Sequence, residues 1–413
     1  MERKVSTDHL KIGMYVSKLD RDWRETSFLM QGFFIMYDED IQSLVEQCEY
    51  IYIDPVQGIG ADSYLDAAPK TSASKRFETN RDLENFLETG AKAVSYEDKH
   101  PTMKELPVAK AAFEAATELV ANIMENDIRN DKLDVKAVKG AVEPIIDSMI
   151  RNSDAFVWMI KMQQHDAYTY DHAVENCALG IAFGRHMGLH KEGLQALSMG
   201  LLLMDVGKTK LPQDLLTKQT PLTDEELSEM QKHVDYTVEI LKKTEGIGDD
   251  VINIALTHHE RYDGSGYPNN LVGVQTPIYG RIAAIIDCYD AMTTSTPYRK
   301  AVSEHTALQN IYNLRGQHFQ QELVEQFLQC MGVYPTGSLV ELSTGEVGII
   351  LSQNVKQRLK PKVMMILDEE KEQYAQRRIV DLAVQNKDTN GDPLNIIKSL
   401  DHGEYGVDTA AFK

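Results

Sequence analysis

The sequence predicts a mainly α protein: a helical bundle, preceded by a small α+β module and followed by a small β-rich C-terminal subdomain. Three observations carry this. From about 108 to 330, apolar residues recur at three- and four-residue intervals with few strand signals. Ahead of residue 56, short β-rich pieces surround one helical stretch. Beyond "GVYPTG" the spacing switches to strand-like alternation.

In order, residues 1–56 form the first module. "MYVSKLD", "FFIMYD" and "YIYIDP" read as strands, and "DEDIQSLVEQCEY" as a helix with Ile41, Leu44, Val45 and Cys48 at helical spacing. Residues 57–104 lose periodicity and read as a linker with one short helix at 82–89. The bundle, 105–332, is expected to hold helices at 108–127, 134–151, 154–163, 168–187, 191–206, 223–244, 249–259, 276–294, 303–315 and 319–330. Thr223 and Glu226 have capping-box spacing at the start of the sixth. In 333–413, "SLVEL-STG-EVGIIL" reads as a hairpin, "PKVMMILD" and "RRIVDLAV" as further strands, and the last ~20 residues as a loose polar tail.

The chain has 413 residues, 42% hydrophobic and 26% charged, as expected of a soluble globular protein of two or three domains. No apolar run reaches the ~20 residues that span a bilayer, and "MERKVSTDHLKIG" lacks the apolar core of a secretory signal. Cys48, Cys177, Cys288 and Cys330 are scattered, which reads as reduced thiols in a cytoplasmic protein. A net charge of −20 argues against general nucleic-acid binding, as the lack of a spanning apolar run does against membrane insertion. A small anionic ligand remains compatible with it if the site carries its own cations.

Chemistry concentrates on the inner faces of the bundle. The apolar run "LLLMDVGK" (201–208) stops at Asp205, where a helix C-terminus disfavours a carboxylate. His172 is in line with Leu179 and Phe183, His233 lies among Met230, Val234, Thr237 and Leu241, and His258 and His259 close a helix whose stripe holds Val251, Ile254 and Ala255. Asp287 interrupts the apolar run "RIAAIIDCYDAM". Buried carboxylates require cations, and imidazole plus carboxylate without thiolate suits iron, manganese, zinc or nickel. His165, His186 and His190, at helix ends and in loops, are read as structural.

The stretch "HHERYDGSGYP" (258–268) roots a glycine loop in the paired histidines, and such a loop lets backbone N–H groups approach a phosphate. Gly207-Lys208-Thr209 mimics the end of a P-loop, but Leu202 stands where the first glycine is needed.

Taken together, "YTYDHAVENCALG", "LLLMDVGKTKLPQDLLTKQTPLTDEE", "MQKHVDYTVEIL", "THHERYDGSGYPNNLVG" and "RIAAIIDCYDAMTTSTPYRKA" resemble the HD-GYP family of HD-domain phosphohydrolases over roughly 165–370. "HLKIGMYVSKLD" resembles the small domain often found ahead of it. The resemblance implies a metal-dependent phosphodiesterase acting on cyclic di-GMP or a related cyclic dinucleotide. It implies His172, Asp205, His233, His258, His259 and Asp287 as ligands of one or two divalent ions, iron or manganese foremost. By the same resemblance Asp205 would bridge two ions and Lys208 would contact the scissile phosphate or hold the nucleophile, Gly264, Gly266 and Tyr267 would line the substrate, and Arg299 and Lys300 would supply cations to its second phosphate. Tyr168 stands where three-metal members place an acid.

Two positions depart from the family. Met204 replaces the histidine of the His-Asp pair, which leaves a first ion only His172, Asp205 and Asp287 and a second Asp205, His233, His258 and His259. Thr296 stands where an arginine is usual. The alternative is therefore a catalytically inactive scaffold that binds the dinucleotide or a signalling protein; a homodimer is left open.

Overall fold

A computed structural model describes residues 2–21, 23, 26–56, 94–123, 133–161, 168–294, 301–354, 357, 359–388, 390–401 and 403–407, with backbone only at 161 and 168–171. The linker helix expected at 82–89 lies outside the described residues.

The N-terminal module pairs β1 (Arg3–Ser6), β2 (Tyr15–Leu19), β3 (Phe33–Phe34) and β4 (Tyr50–Ile53) in the order β1-β4-β2-β3, with α1 (Asp38–Gln47) crossing between β3 and β4. β1 was not foreseen, since "RKVS" carries one apolar residue. On α1, Leu44 and Cys48 are buried while Val45 is 48% exposed, so the helix buries a narrower stripe than its spacing offered.

The bundle follows: α2 (Thr102–Asn122), α3 (Val135–Arg151), α4 (Ser153–Lys161), α5 (Tyr168–His186), α6 (Lys191–Leu203), the short α7 (Gln213–Leu216), α8 (Asp224–Gln231), α9 (His233–Lys243), α10 (Asp249–Thr257), α11 (Ile278–Thr293), α12 (Glu304–Asn313) and α13 (Gln321–Met331). The capping box forms: Thr223 N–H donates to Glu226 at 2.8 Å, and Glu226 N–H to Thr223 Oγ1 at 3.3 Å. The helix expected over 223–244 is two, broken at Lys232, and the break sets His233 in the first turn of α9. There the His233 imidazole bonds the Met230 carbonyl at 2.7 Å, a side chain bonding where a backbone N–H would continue the helix.

One apolar core runs through the N-terminal sheet and the bundle. Arg315 pins the two together: fully buried, it donates to both oxygens of Asp40 at 2.7 Å and lies 3.8 Å above the Tyr312 ring. Arg315→Met should cost about 3 kcal/mol in urea unfolding, because Asp40 then keeps a half-desolvated charge without its cation.

The C-terminal strands β5 (Leu339–Leu342), β6 (Val347–Ser352), β7 (Lys362–Leu367), β8 (Gln373–Asp381) and β9 (Ile396–Leu400) pair antiparallel in the order β8-β7-β6-β5-β9. Alternate residues feed a separate core on each face. The tail expected to be loose instead supplies β9, with Leu400 opposite Leu339. Among the described residues, no helix is long and apolar enough to cross a membrane.

Candidate metal centre

Asp205 does not sit in the last turn of a helix, as the sequence suggested. The helix stops at Leu203, Met204 caps it, and Asp205 leads a short 3-10 turn over Val206–Lys210. Gly207 in that turn lies against the start of α9. Its N–H donates to Thr237 Oγ1 at 2.9 Å, and Thr237 in turn donates to the His233 carbonyl at 2.8 Å. A Cβ on Gly207 would stand 2.2 Å from that carbonyl oxygen and 2.5 Å from Thr237 N. The glycine is what lets Asp205 and His233 meet. Gly207→Ala should therefore destabilise the fold by about 2 kcal/mol or more in thermal or urea unfolding and lower metal content in the same preparation.

Asp205, His233, His258 and His259 converge with all ligand atoms within 4.8 Å of one another. Asp205 Oδ1 lies 3.2 Å from His233 Nε2 and 3.8 Å from His258 Nε2. The outer nitrogens fix the tautomers. His233 Nδ1 bonds the Met230 carbonyl at 2.7 Å and His258 Nδ1 the Ala255 carbonyl at 2.9 Å. A carbonyl only accepts, so each Nδ1 carries the proton and each Nε2 turns a lone pair inward. Asp205 Oδ1, His233 Nε2 and His258 Nε2 are all buried without a hydrogen-bond partner. Three lone pairs facing one point are mutually repulsive unless a cation sits between them, so the donor set fits a divalent ion.

The electrostatics agree. Burial pushes His233 down to about 4, and burial likewise lowers His258 and, with the neighbouring imidazoles, His259. All three are thus neutral ligands at neutral pH. Burial opposes ionisation of Asp205, but the Lys208 ammonium, 2.8 Å from Oδ2, and then the imidazoles outweigh it and hold the carboxyl far below its usual range. Burial and the Asp205 charge push Asp287 up to about 6; it lies 3.7 Å from His259 Nδ1.

His172 is placed differently. Its Nδ1 bonds Asp290, and with Glu175 the two form a second group within 4.8 Å. The four-residue group includes neither His172 nor Asp287. Met204 is 1% exposed and belongs to the apolar core. Sequence reasoning missed Asp290 and Glu175, both 2% exposed. The signal for Asp290 was its place one turn after Asp287 in the same buried run.

The glycine loop folds back onto the centre. Tyr267 N–H donates to the His259 carbonyl at 3.2 Å, and its ring stacks on the His259 imidazole at 4.6 Å. Gly264 is left-handed (φ +83°), and a Cβ on Gly266 would stand 2.5 Å from His259 O. Buried Glu260, also missed, ties the loop's far side by accepting from Asn269 N–H at 2.7 Å and Leu271 N–H at 3.0 Å. His186 bonds Gln326, and His190 precedes α6 without a side-chain cap bond. His165, Thr296, Arg299, Lys300 and the side chain of Tyr168 lie outside the described residues.

Comparison with known proteins adds the domain assignments. A profile described as an HD domain matches 153–323, a domain of unknown function matches 2–138, and a KOW domain associated with HD domain matches 339–405. A cyclic di-GMP phosphodiesterase of Pseudomonas aeruginosa is 28% identical over 92% of this chain and 89% of its own length. A cyclic di-GMP phosphodiesterase response regulator of Xanthomonas campestris is 38% identical over 35% of this chain and 38% of its own. A 3'3'-cGAMP-specific phosphodiesterase of Vibrio cholerae is 42% identical over 31% and 24%. With the motifs and the helical fold, these likenesses show that residues 153–323 form an HD domain that carries motifs resembling the HD-GYP type, behind a small N-terminal domain.

Proposed function

We propose that the protein is a metal-dependent cyclic dinucleotide phosphodiesterase, with cyclic di-GMP as substrate, and that Asp205, His233, His258 and His259 hold a single divalent ion, iron or manganese. The observation that carries this reading is the convergence of Asp205 Oδ1, His233 Nε2 and His258 Nε2, each buried without a hydrogen-bond partner. A bound divalent ion supplies Lewis-acid polarisation of a phosphoryl oxygen and acidifies water toward neutral pH. The chain's own groups do the rest. Lys208, about one-third exposed, holds Asp205 in its ionised form and presents a cation toward an incoming phosphate. Tyr267 keeps the His259 ring in place and closes one wall, and the loop around Gly264 and Gly266 shapes the rest of that wall, the N–H groups of Gly264, Ser265 and Tyr267 being held within it by Arg261 O, Asp263 Oδ1 and His259 O. In this reading Arg299 and Lys300 answer the second phosphate, which a chain of net charge −20 must neutralise locally.

Metal removal tests the reading. Protein loaded anaerobically with Mn(II) or Fe(II) should hydrolyse cyclic di-GMP, lose the activity on chelation and regain it on reloading. His172→Ala should keep its ion, because His172 is turned to Asp290, whereas His258→Ala should lose it; metal analysis after desalting distinguishes them. A second reading, a scaffold that binds cyclic di-GMP without turnover, is favoured by one observation, the buried Met204. Binding without hydrolysis in the loaded protein would establish that reading and sink the first.

A further inference from the structure

A cleft of about 370 Å³ opens away from the metal centre, where the N-terminal module, the end of α13 and the β6–β7 connection meet. Trp23, Phe28, Leu328, Val333 and Leu359 supply its apolar wall and Lys360 its cation. The volume is that of a small-molecule site. Trp23, Phe28 and Leu359 pack against the adjoining cores yet remain half-buried, so part of their apolar surface faces the cleft. Trp23 and Phe28 stand edge to face at 6.2 Å and both pack on Phe33, an aromatic corner in the cleft wall against which a planar ring can lie.

Charge narrows the ligand class. The sequence between Glu346 and Asp368 contains no acid, yet it carries Lys356, Arg358, Lys360 and Lys362, a basic run in a chain of net charge −20. Lys362 pairs with Asp381 at 3.6 Å. Among the described residues, no carboxylate pairs with Lys360. We propose that this cleft is a second, non-catalytic ligand site for a planar apolar molecule with one negative charge. The ring lies against Trp23 and Phe28 and the anionic group against Lys360. The site shares no residue with the metal centre, so it stands whether or not the hydrolytic reading does. A ligand there bridges three parts of the chain and stabilises their arrangement by mass action.

The chain carries two tryptophans, so Trp158→Phe leaves Trp23 as the sole reporter. Titration of that protein with 1-anilinonaphthalene-8-sulfonate, read by energy transfer from Trp23, should saturate at one probe per chain and raise the melting temperature. Lys360→Glu should weaken this anionic probe about fivefold, the worth of a partly exposed ion pair, and leave the uncharged N-phenyl-1-naphthylamine unaffected. Leu359→Phe, which fills the cleft from a half-buried position without adding a tryptophan, should abolish both. A far-ultraviolet circular dichroism spectrum matching the parent and a cooperative melt show that each variant is folded. No saturable binding, a stoichiometry other than one, or equal affinities across folded variants would overturn the proposal.

Discussion

Asp205→Ala should empty the centre and cut cyclic di-GMP turnover by at least about 10²-fold, the scale set by losing one preorganised charge at a reacting phosphate. Asp205 Oδ1 is the atom toward which both inward Nε2 lone pairs point, at 3.2 and 3.8 Å. Without it, three neutral imidazoles remain, His233 from α9 and His258 and His259 at the end of α10, with no charge to retain a divalent ion against a chelator. The metal-free fold should lose some stability at neutral pH, because Lys208 and the imidazoles outweigh the burial of the carboxylate and hold it ionised. That contribution is present above the ordinary carboxyl pKa and is lost as the pH falls, so the melting temperatures of the two chelated proteins should differ at neutral pH and converge in acid. Asp205→Asn, which keeps the side chain's shape without its charge, should lose the metal as Asp205→Ala does and so separates the functional role of the charge from packing.

Met204→His should have the opposite sign and comparable size: a second equivalent of metal and a clear rise in turnover. Met204 caps α6 directly before Asp205, with its thioether in the apolar core and a poor match to a hard or borderline ion. An imidazole there would join Asp205 with His172 and Asp287, now turned to Asp290 and His259. Burying the ring costs stability unless the ion arrives, so the variant should melt lower than the parent when chelated and recover when loaded. Adding Asp290→Asn should weaken the second ion by about 10–100-fold, the usual effect of removing a carboxylate that orients a ligand histidine. Metal counts by elemental analysis and competition with a chromophoric chelator provide both readings.

Much of this was legible from side-chain periodicity. His258 could be placed on an inner face because the residues three, four and seven before it, Ala255, Ile254 and Val251, are apolar and buried, His233 because Val234 and Leu241 beside it are, and Asp287 because it interrupts a run whose Ile282, Ala283, Ala284, Ile285 and Ile286 are buried. Breaks were not legible, because they depend on contacts between helices. The stop after Leu203 and the break at Lys232 both serve one junction, where Gly207 meets the His233 carbonyl. A pattern of apolar spacing runs through both without a mark. Nor did spacing reveal that His172 turns to Asp290, since the two lie on different helices. Glu260 looked like one more charge in a polar loop; only the fold shows its carboxylate receiving two backbone N–H groups. β9 was missed because its partner strand, β5, lies more than fifty residues earlier in the chain.

The central claim is that one ion, held by Asp205, His233, His258 and His259, supports hydrolysis of a cyclic dinucleotide. Metal-free protein titrated anaerobically with Mn(II), with cyclic di-GMP hydrolysis followed at each addition, addresses it directly. The account predicts activity rising linearly to a sharp break at one equivalent per chain, with the break moving to two in Met204→His. A break at two equivalents in the wild type, or no hydrolysis at any loading, would contradict it.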